Sequence, residues 1–320
     1  MPADPRSRPD MPQFAVVVPV YRNRESLRAL VERLTSLNAE LEDRLEAIFV
    51  VDGCPDGSDA ALRQILSHEP LCSRLIVLSR NFGSFAAIQT GLAHTDAPFI
   101  CVMSADLQEP VSFAAEAFHV LSAGSVDVVV GEREGRNDET GQTLASGAFW
   151  GLYRNLVNPD IPAGGVDMFA CTQRVAGELV RLSESHSSLI GLLYWVGFRR
   201  TSILYTRQPR HSGTSAWTVR RRFNYLTDSV FSFTNAPLVF LQVLGALGVM
   251  ISVLVGIAVL ISWSVGAIGS PGYTPLILTI VGSTSAILLG LGIVGSYTWR
   301  AYENTKGRPA TIVATIESFE

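Results

Sequence analysis

From Ser229 to Trp299 the chain has no Asp, Glu, Lys, Arg or His. Few constraints on a fold are stronger. Across the full 320 residues hydrophobic types make up 48% and charged types only 17%, against a usual quarter. The deficit is concentrated in this one region, and the first two thirds have ordinary globular composition. The uncharged region divides at a Gly-, Pro- and Ser-containing loop near Ser264–Tyr273. About 27 residues from Leu238 and about 23 from Pro275 flank it, each enough for a helix across a ~30 Å hydrocarbon core. The expectation is a two-helix transmembrane hairpin over 236–299; a buried soluble hairpin is the alternative.

Charge sets the expected orientation. Arg220, Arg221 and Arg222 precede the first span, Arg300, Lys306 and Arg308 follow the second, and the loop between has no Lys or Arg. The positive-inside rule puts the N-terminal domain and both termini in the cytoplasm, in a multi-pass inner-membrane protein. Trp217, Phe223, Leu226 and Val230 recur at near-helical spacing, which predicts an amphipathic helix over 217–235 lying in the membrane interface, with a helix packed on the N-terminal domain as the alternative. Residues 300–320 are read as a cytoplasmic tail. The first 13 residues, rich in Pro and charge, are read as a disordered lead without the apolar core of a signal peptide. The four cysteines (Cys54, Cys72, Cys101, Cys171) have no zinc-type spacing and read as free thiols. A net charge of -4 argues against general nucleic-acid binding while leaving room for a local basic patch.

Between these ends, over 14–216, apolar runs alternate with helical patterns. Phe14–Val20, Glu46–Asp52, Arg74–Ser79, Phe99–Asp106 and Asp127–Gly131 read as strands. Leu27, Leu30, Val31, Leu34 and Leu37 mark one helix face, and further helices fit near Ser58–Leu66, Phe82–Ala93 and Val111–Ala123. This alternation predicts an α/β fold with a mostly parallel, doubly wound sheet. Ligands bind such sheets at the carboxyl ends of the strands, where Pro19, Tyr21, Asp52 and Asp106 would meet. Neither a GxGxxG after the first strand nor a GxxxxGK[ST] is present, which argues against dinucleotide-binding and P-loop enzymes.

VVVPVYRNRESL, VVDGCPDGS, SRNFGSFAAIQTGL and MSADLQEP occur in that order. Together they resemble the family-two glycosyltransferases of the GT-A fold. With RQPRHSGTSAW and the uncharged C-terminal region, the chain is similar to the polyprenyl-phosphate sugar synthases, such as dolichol-phosphate mannose synthase. The resemblance implies inverting transfer of a sugar from a UDP- or GDP-sugar to polyprenyl (undecaprenyl) phosphate at a membrane. It also implies a Mg²⁺ or Mn²⁺ cofactor bound by Asp106 and Gln108, with Asp106 capping a turn before Pro110 as the alternative. Asp52 matches a residue that contacts base or ribose, Pro19 and Tyr21 the wall of the base pocket, and Arg80 and Asn81 a segment facing the donor. Asp167 matches a proposed catalytic base, although a phosphate monoester is largely ionised at pH 7 and needs little proton abstraction. Arg207, Arg210, Gly213 and Ser215 match the family's acceptor-phosphate motif, for which arginine's planar fork is suited. Members often form homo-oligomers.

Three positions depart from the family pattern. Ser104, which the resemblance sets among the nucleotide-sugar-binding residues, stands where the first Asp of D-x-D is usual, Val51 where an Asp often precedes Asp52, and Ala216 where a Lys is usual. A catalytically degenerate, non-enzymatic membrane partner is the rival reading they support. The Q-x-x-R-W motif of processive polymer synthases is absent.

Overall fold

The computed structural model describes residues 12–133, 160–162, 166–182, 188–207, 227–228, 230–231, 234, 236–265 and 273–320. They fall into two compact units, one comprising Met1–Phe223 with Pro309–Glu320 and the other Asn224–Arg308.

The first unit is built on strand β1, Phe14–Val20. Its run FAVVVPV is apolar at every position, as a strand covered on both faces requires. Parallel partners flank it: β2 (Leu45–Val51) on one side and β4 (Phe99–Val102) on the other. β3 (Ser73–Leu78) continues the parallel set beyond β2. β6 (Phe169–Thr172) pairs antiparallel with β4, and β5 (Val128–Arg133) antiparallel with β6, while β7 (Arg200–Tyr205) runs parallel to β5. The order is β7-β5-β6-β4-β1-β2-β3, with one further strand beyond β3, a mostly parallel α/β sheet.

Helices cover both faces. α1 (Leu27–Glu40) buries Leu27, Leu30, Val31, Leu34 and Leu37, the stripe its spacing predicts. With α2 (Ser58–Leu66) and α4 (Ser112–Ser122) it packs on Phe14, Val16, Val18 and Val20. α3 (Ser84–Leu92) covers the opposite face, where Gly91 lies against Val17. α5 (Gln173–Arg181) and α6 (Leu189–Trp195) complete the unit. Gln89 of α3 donates through Nε2 to the Leu179 and Leu182 carbonyls at 3.1 Å each, tying α3 to α5.

Strand β8, Val313–Phe319, lies within the stretch read as a tail. It pairs antiparallel with β3, and Glu317 receives Arg63 of α2 at 2.8 Å. The Thr90 and Thr311 hydroxyls meet at 2.8 Å, and Ser79 donates its N–H to the Ile312 carbonyl at 2.9 Å.

The second unit holds two long helices where the uncharged region was expected to cross a bilayer twice: α7 (Ala236–Ser264) and α8 (Tyr273–Thr305). Among the described residues, no helix is long and apolar enough to cross a membrane. The expected transmembrane hairpin is corrected on this point, and so is the multi-pass inner-membrane placement inferred from it. Freedom from charge is not apolarity. α8 carries the hydroxyls of Ser283, Ser296 and Thr298, which bond back to the Ile280, Gly292 and Val294 carbonyls. It then runs into Arg300 and Glu303, followed by Lys306. Most of the helix expected over 217–235 lies outside the described residues.

A Cβ on Gly91 would stand 2.3 Å from Val17 Cγ1, whereas one on Gly177 of α5 would meet nothing within 4 Å. Gly91→Ala should therefore destabilise by about 1–2 kcal/mol, overpacking outweighing the gain in helix propensity. Gly177→Ala should be neutral or stabilise by up to about 1 kcal/mol. Urea unfolding of both variants checks this, and equal effects would refute the packing of α3 on β1.

Candidate active site

The carboxyl ends of β1, β2, β3 and β4 share one edge because the four strands are parallel. Successive connections run outward from β1 through β2 to β3, and then return to place β4 on the other side of β1. That reversal leaves a crevice between the ends of β1 and β4, where ligands bind in such sheets. β4 stops at Val102, earlier than the predicted Asp106, so residues 103–109 form a loop beside the crevice. Pro19 pairs with Val50 of β2 and lies past Val17, the last β1 residue paired with β4. Lacking an N–H, it is suited to that unpaired flank. Tyr21 follows, its N–H bonded to Asn23 Oδ1 at 3.2 Å.

Asp52, just past β2, is 2% exposed. Its Oδ1 accepts the Phe82 N–H at 2.7 Å and its Oδ2 the Gly83 N–H at 2.9 Å, while its carbonyl accepts Asn81 Nδ2 at 3.4 Å. The carboxylate thus fixes the Arg80–Gly83 loop ahead of α3, with both oxygens aimed at backbone donors. Gly53 makes this approach possible: at φ +54°, a Cβ there would sit 2.2 Å from the Arg80 carbonyl carbon. Arg80 itself is exposed and lies over the Phe82 ring at 4.0 Å.

The 103–109 loop closes on itself. Asp106 Oδ1 accepts the Ser104 hydroxyl at 2.7 Å and the Gln108 N–H at 3.2 Å. Glu109 Oε2 receives the Ser104 N–H at 2.8 Å and lies 2.6 Å from the same hydroxyl. One hydroxyl proton is therefore shared between two carboxylates. Glu109 is 5% exposed, and burial pushes its carboxyl up to about 7, opposed by the Ser104 hydrogen bonds. Leu107 sits at φ +61°, a left-handed conformation costing a non-glycine residue on the order of 1 kcal/mol. Ser26, ahead of α1, donates to the Ala105 carbonyl at 2.6 Å and pins the loop from below.

β7 and the residues just after it bring two side chains to this region. Arg207 Nη2 donates to Gln108 Oε1, and its Nε, buried, has no protein partner among the described residues. Tyr205 donates its hydroxyl to Asp167 Oδ2 at 2.7 Å, and Arg133 at the end of β5 forms an ion pair with the same oxygen. Burial, and next the charge of Asp167, raise the Tyr205 phenol above its ordinary range. Asp167 lies just before β6, whose antiparallel course starts at the site edge. Arg210, Gly213 and Ser215 lie outside the described residues.

Ser104, Asp106, Gln108 and Arg207 are thus linked by hydrogen bonds, and Asp52 is linked to Asn81. Glu109, Arg133 and Tyr205 had no place in the sequence reading. A Glu before Pro carries no signal of burial, and nothing along the chain pairs Arg133 with a residue 34 positions on. The oxygens of Asp106 and Gln108 fit a hard cation such as Mg²⁺ or Mn²⁺, which takes one or two protein oxygens together with substrate phosphate and water. Arg207 already offers a cationic group to the Gln108 oxygen.

A family model for glycosyl transferase family 2 matches residues 15–176. The protein CsbB of Bacillus subtilis (strain 168) is 30% identical, over 94% of this chain and 91% of its own length. The bactoprenol glucosyl transferase of Shigella phage SfX is 26% identical, over 94% of this chain and 98% of its own. Among solved structures, a mannosyltransferase from Pyrobaculum calidifontis in complex with GDP-Man and Mn²⁺ aligns with 91% of this chain and 85% of its own, at 17% identity and a TM-score of 0.45. The chain belongs to glycosyl transferase family 2. It is a glycosyltransferase, which sets aside the non-enzymatic reading.

Asp52→Asn should cost about 1–3 kcal/mol, since the amide would turn a donor toward one of two buried N–H groups. It should also raise the KM for donor more than it lowers kcat, if the Arg80–Gly83 loop faces the donor. Thermal melting with steady-state kinetics checks both parts, and unchanged stability would refute the anchoring role.

Proposed function

We propose that this glycosyltransferase moves a sugar from a UDP- or GDP-sugar to a polyprenyl phosphate, with inversion at the anomeric carbon. The observation that carries the reading is the convergence of Asp106, Gln108 and Arg207 with the Tyr205–Asp167–Arg133 cluster at the edge where such sheets bind ligands. The near full-length likeness to a bactoprenol glucosyl transferase supports the acceptor class.

A phosphate oxygen of the acceptor attacks the anomeric carbon, and the bond from that carbon to the nucleotide diphosphate breaks. The electron pair leaves with the diphosphate. The attacking oxygen is largely ionised at pH 7, because the second pKa of a phosphate monoester is near 6. Asp167 therefore has little proton to remove. Its Oδ2 is committed to Tyr205 and Arg133, a carboxylate held to orient sugar hydroxyls. Arg207, with Arg210, Gly213 and Ser215 of the following motif, would hold the acceptor phosphate. Pro19, Tyr21 and Asp52 border the donor's nucleoside, with Arg80 and Asn81 beside them. A divalent cation held by Asp106 and Gln108 would supply charge neutralisation on the leaving diphosphate.

The test is a transfer assay with undecaprenyl phosphate, Mg²⁺ or Mn²⁺, and labelled UDP- and GDP-sugars, counting label in the organic phase. Label from one donor, lost with chelator and lowered about 10²–10³-fold by Asp106→Ala, is the expected result. Transfer to no polyprenyl phosphate, with the sugar passed to another acceptor as nucleotide is released, would overturn the acceptor assignment. Undiminished activity of Asp106→Ala would overturn the metal assignment.

A further inference from the structure

A D-x-D pair would place two carboxylates in the 104–106 turn, and this chain has a hydroxyl at the first. The turn nevertheless contains a second carboxylate. Glu109 reaches back, buried, and its Oε2 takes both the backbone N–H and the hydroxyl of Ser104. The same hydroxyl continues to Asp106 Oδ1. Glu109, Ser104 and Asp106 are thus a chain of contacts at 2.6 and 2.7 Å within one strained turn whose central Leu107 is left-handed.

We propose that Glu109 is a positioning residue for Asp106, acting through Ser104, and that Ser104 is neutral because Glu109 already supplies the turn's second carboxylate. Ser104 is then a spacer and not a cation ligand. The inference rests on the metal-binding reading of Asp106 and specifies how this chain presents that carboxylate. Its consequence runs against the family pattern. Restoring the usual Asp with S104D would crowd a third carboxyl group against Glu109 and Asp106 and remove the hydroxyl that bridges them. E109Q removes that conflict. Its amide oxygen still accepts the residue-104 N–H, and its NH₂ can donate to the carboxylate that S104D introduces.

The experiment is a double-mutant cycle on the full chain with S104D, E109Q and S104D/E109Q. It has two readouts: bound Mn²⁺, from loss of the free Mn²⁺ electron paramagnetic resonance signal with UDP or GDP present, and the melting temperature without metal. S104D should bind Mn²⁺ roughly tenfold more weakly than wild type and melt lower. S104D/E109Q should recover both to within about threefold in affinity and to near the wild-type melting temperature. Recovery of affinity by the conservative E109Q, beyond recovery of stability, separates positioning from a merely structural role. Tighter Mn²⁺ binding by S104D with Glu109 in place, or additive effects in the cycle, would overturn the proposal. Absence of Mn²⁺ binding by wild type with either nucleotide would instead overturn the metal reading of Asp106, and the melting cycle alone would then decide the Glu109–Ser104 coupling.

Discussion

The site edge depends on one buried carboxylate. Asp52 follows β2 directly and takes the N–H groups of Phe82 and Gly83, so the loop leaving β3 is fixed by the strand beside it. A carboxylate removed from water needs such donors, and two backbone amides ahead of a helix supply them together with the favourable end of its dipole. The contact requires backbone to meet backbone at Gly53. β1 supplies the other half of the frame. Its fully apolar core run lets helices cover both faces, and its position at the reversal of strand order opens the crevice on the β4 side.

Around that crevice the charges are arranged in couples. Asp106 and Glu109 share a serine hydroxyl, Asp167 is held by Arg133 and Tyr205, and Gln108 turns its oxygen to Arg207. An anionic ligand there would require such carboxylates to be masked, and Arg133 already sets a cation against Asp167. β7 and the residues just after it serve two of the couples, through Tyr205 and Arg207.

Much of the frame was legible along the chain. FAVVVPV can be little other than a doubly covered strand, and the spacing of Leu27, Leu30, Val31, Leu34 and Leu37 marks a helix face that is indeed buried. Asp52 could be placed at a strand end, but not its burial or its two amide partners, which come from a loop 30 residues on. The Arg207–Gln108 contact spans 99 residues. No local pattern encodes such meetings. The uncharged C-terminal region correctly foretold two long helices, whereas their capacity to cross a membrane did not follow from missing charges. VATIESF, a half-exposed strand with weak alternation, was missed because its only signal is the β3 edge that receives it.

That last strand has a consequence for biosynthesis. Arg63 and Glu317, joined across β8, lie 254 residues apart in sequence. The ribosome must release both long helices before it can release the strand that covers β3. Until then the nascent sheet presents an open row of amides and carbonyls, the kind of edge on which chains aggregate. The catalytic half of this protein therefore reaches its native edge only after the second unit has been translated, and its time of exposure is set by the length of that unit.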